Sequence, residues 1–171
     1  MFQAFDNPGP NRGTPRAEWM ALLARAPLAL LEHALQPYQA GLRAEWLRRP
    51  ETGLYMVQGR AGGTGERFNL GEITVTRCAM RHRGPDAPSS PVGVAYVLGR
   101  HHRHAELAAM ADALLQEPLH QEALEQHLLT PVRQHLALDA ARRQAQVQST
   151  KVDFFTVARE AAGDDGEEDE A

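Results

Sequence analysis

The stretch TGLYMVQGRAGGTGERFNLGEITVTRCAMRH, residues 52–82, decides the fold of this chain. Its two ends, TGLYMVQGRA (52–61) and GEITVTRCAMRH (71–82), are rich in Val, Ile, Thr and Tyr, which favour β-strands. The central part, GRAGGTGERFNLGE (59–72), contains five glycines, and glycine readily adopts the positive φ angles of a tight connection. The pattern predicts a β-hairpin with a wide, glycine-rich turn.

The second of these strands has no strongly polar face. Side chains alternate between the two faces of a strand, so one face would carry Ile73, Val75, Arg77 and Ala79, and the other Thr74, Thr76, Cys78 and Met80. This composition predicts a sheet that is covered on both faces, by helices or by another subunit. The segment VGVAYVLGR (92–100) predicts a third strand, which would complete a meander.

Helical patterns precede the strands. Thr14–Pro15 has the cap-and-proline signature of a helix start. Pro27 is expected to end this helix and to begin a second one that stops near Pro37, and GLRAEWLRR (41–49) predicts a third, short helix. The first helix has an apolar face made of Trp19, Leu22, Leu23 and Ala26.

Helical patterns also follow the strands. We predict helices over residues 103–116 and 119–129, and a fresh helix from the second Thr–Pro pair, Thr130–Pro131, to about Gln148. KVDFFTVARE (151–160) predicts a final strand. The fold class is therefore α+β, with a small, mostly antiparallel sheet packed with helices. Residues expected on the apolar face of the first of these helices are Leu107, Met110, Leu114 and Leu115.

Length and charge define the domain organisation. The 171 residues suit one domain. We expect a flexible N-terminal arm at residues 1–13, a single α+β domain at 14–160 and a disordered acidic tail at 161–171. The tail holds six of the 22 acidic residues, so 18 basic residues face 16 acidic ones elsewhere, a net charge of +2. No basic stripe typical of nucleic-acid binding is present.

The sequence also indicates a compartment. The N-terminus lacks the basic start and apolar run of a signal peptide. The longest apolar stretch, APLALLEHAL (26–35), is too short to span a bilayer. The single cysteine, Cys78, permits no internal disulfide. We therefore expect a soluble, cytoplasmic protein with neither a membrane nor a nucleic acid as its partner.

The glycine-rich turn allows two interpretations. A nest of backbone N–H groups can bind an anion, and two arginines could add charged contacts. However, the turn has no P-loop lysine, and it leads into a strand rather than the helix of a dinucleotide fingerprint. The alternative is a plain hairpin connection. The candidate anion- or nucleotide-binding residues here are Arg60, Gly62, Gly63, Gly65 and Arg67.

A second basic segment, GRHHRHAEL (99–107), stands at a predicted helix start. Cations are unfavourable at the positive end of a helix dipole, and a bound anion would reverse this effect. Arg100 and His104 are therefore further anion-binding candidates. Metal binding by pairs of these histidines and plain solvated histidines are the alternatives, and we predict no metal site. We also predict no catalytic residue, because Cys78 suits a small buried side chain better than a nucleophile.

The chain resembles the G subunit (PhnG) of the bacterial carbon–phosphorus lyase core complex. The likeness covers about residues 16–160, and the block RAGGTGERFNLGE…TVTRC carries its most specific motifs. The resemblance implies a supporting role in forming ribose 1-phosphonate 5-triphosphate from ATP, with magnesium, and a phosphonate, with loss of adenine. It implies the I subunit as principal partner and the H and J subunits as further partners. An ATPase-like L subunit is an additional candidate. No cofactor is expected on this chain alone.

Two hypotheses follow from the resemblance. In the first, the sheet and the glycine-rich turn form an obligate interface with the I subunit, to which Arg77, Phe154 and Phe155 contribute. In the second, the turn contacts the ATP triphosphate. An independent hydrolase would need a nucleophile–base pair, which the sequence does not offer.

Overall fold

The computed structural model describes residues 14–39, 43–83 and 90–151, and the fold within them is α+β. Three antiparallel strands form a sheet in the order β1-β2-β3, as the predicted meander requires. The strands are β1 (Arg43–Arg60), β2 (Arg67–Arg83) and β3 (Val92–Leu98). The predicted final strand at 151–160 lies, apart from Lys151, outside the described residues.

The short helix predicted at residues 41–49 is wrong, because the described part of this segment is the first half of β1. Its backbone pairs with the end of β2, from Arg43 opposite Arg83 to Trp46 opposite Met80. Trp46 packs against the hydrophobic core. Long-range pairing and burial of this tryptophan therefore override the local preference for helix.

Five α-helices complete the described chain. Helices α1 (Arg16–Leu23) and α2 (Leu28–Gln39) precede the sheet. Helices α3 (His102–Leu115), α4 (Pro118–Leu124) and α5 (Thr130–Ser149) follow it. The sequence predicted that Thr14 caps α1, and this is wrong: the Thr14 hydroxyl donates instead to Glu125 at 3.1 Å.

The helix predicted from Thr130–Pro131 to about Gln148 is confirmed as α5, but Thr130 does not cap it. The residues around Thr130 already have helical backbone angles, and a π-helical turn at Glu125–Leu129 connects α4 to α5. A proline inside a helix lacks an N–H group and collides with the preceding turn. The wider π turn accommodates Pro131 without ending the helix.

Helix α3 is the centre of the core. It packs directly against the sheet, and the predicted side chains Leu107, Leu114 and Leu115 are buried on it, with Met110 half-buried. The approach to β3 is close, because a Cβ atom at Gly93 would lie 1.9 Å from the Ala109 carbonyl oxygen. Helix α1 buries Trp19, Leu22 and Leu23 against the same core, and Ala26 follows, as predicted.

The helices cover only one face of the sheet. The inner face buries Thr76, Cys78 and Met80 of β2, together with Ala95 and Val97 of β3. The alternate residues form the outer face, and none of the outer-face side chains in the described strands is buried. Of the predicted cover on both faces, helices provide one face within the described residues, and cover of the outer face by another subunit stays a prediction.

Candidate partner-binding surface

The distal half of the β1–β2 hairpin extends beyond the rest of the fold. Strand β3 pairs with β2 only from Val75 to Arg81, so residues 53–74 form a two-stranded ribbon, which we call the projecting hairpin. At about 3.4 Å per residue, the eight β2 residues that pair with β1 but not with β3 extend roughly 25 Å. Not one of its residues is buried, and only four are even half-buried.

Apolar side chains are exposed on both sides of the projecting hairpin. Tyr55 and Ile73, which stand opposite each other, extend the outer face of the sheet, and Leu54 and Met56 extend the inner face. An isolated two-stranded ribbon is marginally stable in water, and a large exposed apolar surface marks an interaction site. The exposed fractions are 67% for Leu54, 62% for Tyr55, 62% for Leu70 and 48% for Phe68.

The glycine-rich turn at the tip is tight and internally bonded. Gly62 and Gly63 have φ angles of 58° and 79°, which explains their identity. The Gly65 N–H donates to the Ala61 carbonyl at 2.9 Å, and the Arg60 side chain donates to the Gly65 carbonyl at 3.0 Å. The prediction of positive-φ glycines in a hairpin connection is confirmed at Gly62 and Gly63.

Two of the predicted anion-binding residues face each other at this tip. Arg60 and Arg67 occupy opposite positions on the last rung of the hairpin, and both are exposed. Like charges directly opposite each other on two strands are destabilising. This rung would therefore gain from a bound anion.

The other two predicted anion-binding side chains lie far from the tip. Arg100 and His104 line a depression at the N-terminus of α3, where the His104 ring nitrogen lies 2.7 Å from the Leu23 carbonyl oxygen. This terminus is beside the base of the projecting hairpin, because the Gly99 N–H donates to the Thr74 carbonyl. Within one chain, the predicted residues thus form two groups roughly 25 Å apart.

The histidines of this segment have ordinary protein partners. His102 lies 2.9 Å from the Thr52 hydroxyl, and the backbone N–H of His101 donates to the Thr76 hydroxyl. Nowhere in the described ranges do three His, Cys, Asp or Glu side chains form a group that could hold a metal ion.

Arg77, a predicted interface residue, lies on the outer face of the sheet. Its guanidinium donates to Glu51 at 2.6 Å, and Arg48 donates to the same carboxylate oxygen at 2.5 Å. The hydrogen bonds from Arg48 and Arg77 lower the pKa of Glu51. Glu51 is therefore an ionised carboxylate that accepts two hydrogen bonds, and it is unsuited to general acid chemistry.

Burial raises the pKa of the Cys78 thiol to about 12, with a smaller effect from Glu106. A thiol that stays protonated at neutral pH is a poor nucleophile, in agreement with the structural role predicted for Cys78. The two remaining predicted interface residues, Phe154 and Phe155, lie outside the described residues.

Sequence reasoning missed most of the exposed apolar surface. The available signal was the run Leu54–Val57, in which apolar side chains occur at consecutive positions and so must occupy both faces of a strand. Such a run indicates burial on both sides, and within the described part of this chain nothing provides it. None of the described helices is long and apolar enough to cross a membrane.

Comparison with known proteins identifies relatives of this chain. The model of a family described as phosphonate metabolism protein PhnG matches residues 14–160. A curated relative from Rhizobium meliloti (strain 1021) is 40% identical over 144 residues, which cover 84% of this chain and 88% of the relative. That relative is subunit PhnG of alpha-D-ribose 1-methylphosphonate 5-triphosphate synthase.

Proposed function

Because the chain belongs to the PhnG family of phosphonate metabolism proteins, we propose that it is a supporting subunit of a phosphonate ribose-triphosphate synthase complex. In this reaction a phosphonate would displace adenine from ATP. The relative is itself named as a synthase subunit. We assign the chemistry of the reaction to its partners, as the resemblance of the sequence implies.

The projecting hairpin is the observation that carries this proposal. Its apolar side chains cover both faces of a ribbon that has no support of its own in the described chain. Burying such surface against another subunit is the usual way to form an obligate interface. Following the resemblance of the sequence, the proposed principal partner is the I subunit, and the H, J and L subunits are further candidates in the same complex.

Co-purification tests the proposal. The tagged chain is co-expressed with the I subunit of the same genome, and the product is weighed by native mass spectrometry. We expect a stoichiometric complex with two copies of each chain. A shortened variant, in which Asn-Gly replaces residues 54–74 and joins the paired Gly53 and Val75, should fold but should not bind the I subunit.

Removal of residues 161–171 is the matched control, because this tail lies outside the family match. The control variant should assemble like the full chain. If the shortened variant assembled as well as the control, the projecting hairpin would not be the interface. If the full chain itself did not bind the I subunit, the subunit role would be wrong.

The arginine rung at the tip favours a second, additional function. Arg60 and Arg67 stand opposite each other at the end of a projection that would enter a partner. A triphosphate bound there would relieve their repulsion with charge-assisted hydrogen bonds. Under this proposal the chain adds two guanidinium groups to a nucleotide site that a partner completes.

Substitution of Arg67 tests this second proposal in the assembled complex. Arg67→Ala should raise the KM for ATP about tenfold, the effect of losing one charged hydrogen bond of 1.4 kcal/mol, and should leave the stoichiometry unchanged. Arg142→Ala, an exposed arginine on α5, is the control. Wild-type kinetics at limiting ATP for Arg67→Ala would exclude the contact.

A further inference from the structure

An open depression lies at the base of the projecting hairpin, on the outer face of the sheet. It has a volume of about 420 Å³ and surrounds Gly53. A Cβ atom added at Gly53 would have no heavy atom within 4 Å, and the φ angle there is not positive. The backbone conformation and the chain's own packing therefore do not require glycine at this position.

Aromatic and apolar side chains form the walls of this depression. Tyr55 lies two residues after Gly53, on the same face of β1, and Tyr96 of β3 stands opposite Arg77. Val75 is the direct cross-strand partner of Gly53 and forms the floor. Tyr55 and Tyr96 are 62% and 56% exposed. Two exposed tyrosines beside a valine floor offer ring faces and edges against which another aromatic side chain can pack.

The charges at the rim are unequal. Glu51 accepts hydrogen bonds from both Arg48 and Arg77 through the same oxygen atom. All three side chains are about half exposed. Glu51 and Arg77 line the depression, and Arg48 lies beside them. Two guanidinium groups thus share one carboxylate, and these three side chains together carry one net positive charge. A carboxylate on a partner would complement this charge, while an incoming cation would be repelled.

We propose that this depression is the anchor point for the I subunit, and that it receives an aromatic side chain of that subunit with a carboxylate beside it. The inference rests on the proposed function, because it locates the principal contact within that interface. The absence of a side chain at Gly53 has a purpose under this proposal. It leaves the space that a buried aromatic anchor, the commonest kind of interface hot spot, would fill.

A volume series at Gly53 tests the proposal. Wild-type and variant chains with different tags are co-expressed with a limiting amount of the I subunit, and native mass spectrometry gives the share of each in the complex. We expect Gly53→Ala to compete nearly as well as wild type, Gly53→Val less well, and Gly53→Trp about 30-fold less well, as for loss of a hot spot.

The melting temperatures of the free variants distinguish a binding defect from a folding defect. A Cβ atom at Gly53 would have no heavy atom within 4 Å, and β-branched and aromatic residues favour strands over glycine. Gly53→Val and Gly53→Trp should therefore melt at or above the wild-type temperature. Tyr96→Ala, which removes an exposed wall without adding volume, should also weaken assembly. The control is Ala141→Trp, an equally large side chain on the exposed face of α5.

Each outcome bears on one proposal. If Gly53→Trp and Tyr96→Ala entered the complex as readily as wild type while the shortened hairpin did not, the anchor would be wrong and the subunit role would stand. If the shortened hairpin also entered normally, the projecting hairpin would not be the interface either, and only the subunit role would stand. If Gly53→Trp lowered the melting temperature of the free full-length chain but not that of a chain lacking residues 152–171, the occupant would be the chain's own Asp153–Phe155 segment, which would overturn the proposal.

Discussion

Asp112 joins three parts of the core at the scale of a single residue. Its carboxylate is fully buried on α3. One oxygen accepts hydrogen bonds from Arg16 at 3.1 Å and Trp19 at 2.8 Å, and the other from Arg16 at 2.8 Å and the Val94 N–H at 2.9 Å. A buried carboxylate with four donors links α1, α3 and the edge of β3 without an unsatisfied lone pair.

Replacing Asp112 by alanine should therefore destabilise the chain severely. The change leaves the Trp19 and Val94 N–H groups without acceptors and Arg16 without its partner. We expect a loss of about 3 kcal/mol or more in the free energy of unfolding. Urea denaturation measures this loss when Asp112→Ala is introduced into the shortened-hairpin variant and compared with its parent, since that variant lacks the exposed apolar surface.

The matched control for this prediction is Asp139→Ala. Asp139 forms an exposed ion pair with His135 on α5, and such pairs contribute about 0.5 kcal/mol or less. Equal losses for the two variants would show that burial and the four donors give Asp112 no special role. The sequence offered no sign of this network, because the partners lie 18 to 96 residues from Asp112 in the chain.

Among the elements, the sequence predicted those whose signals are local. The three strands, α1, α2 and α3 follow from periodicity and from prolines, and the positive-φ glycines follow from composition. The first half of β1 and the continuity of α4 into α5 could not be predicted in this way. Trp46 is extended because of a partner strand about 35 residues away, and Pro131 is tolerated because of a π turn.

The projecting hairpin should be the least protected strand pair of the free chain. It has neither a third strand nor a helix against it in the described structure, so its hydrogen bonds open without disturbing the core. We expect backbone amides of residues 53–60 and 67–74 to exchange hydrogen for deuterium within seconds. Amides of β2 from Val75 to Met80, between two strands and under α3, should be protected far longer.

Binding of the I subunit should reverse this pattern. In the complex, exchange at the projecting hairpin should slow by at least tenfold, because opening would then require dissociation of buried surface. Amides near the exposed end of α5 serve as the internal control and should not change. A hairpin already protected in the free chain would contradict the idea that its stability depends on the partner.

The two ends of the sheet differ at the scale of the whole molecule. One end lies under α3 and the other helices, where the core is continuous. The other end is a bare ribbon with exposed aromatic side chains and a pair of like charges. The exposed apolar side chains and the paired like charges at this end do not favour stability of the free chain, whereas the packing at the other end does. Such a local conflict is typical of functional sites. No single sequence motif reveals this functional end, because it is recognised only by comparing the covered and uncovered faces of the folded sheet.

The free chain should accordingly associate with itself. Exposed apolar ribbons with unpaired strand edges tend to pair with other chains. We expect sedimentation velocity of the full-length chain alone to show concentration-dependent oligomers or aggregates, and co-expression with the I subunit to give one discrete complex. The shortened variant should sediment as a monomer at every concentration, because the core beneath the sheet does not depend on the ribbon. A full-length chain that remained monomeric would show that the apolar side chains of the ribbon are satisfied without a partner.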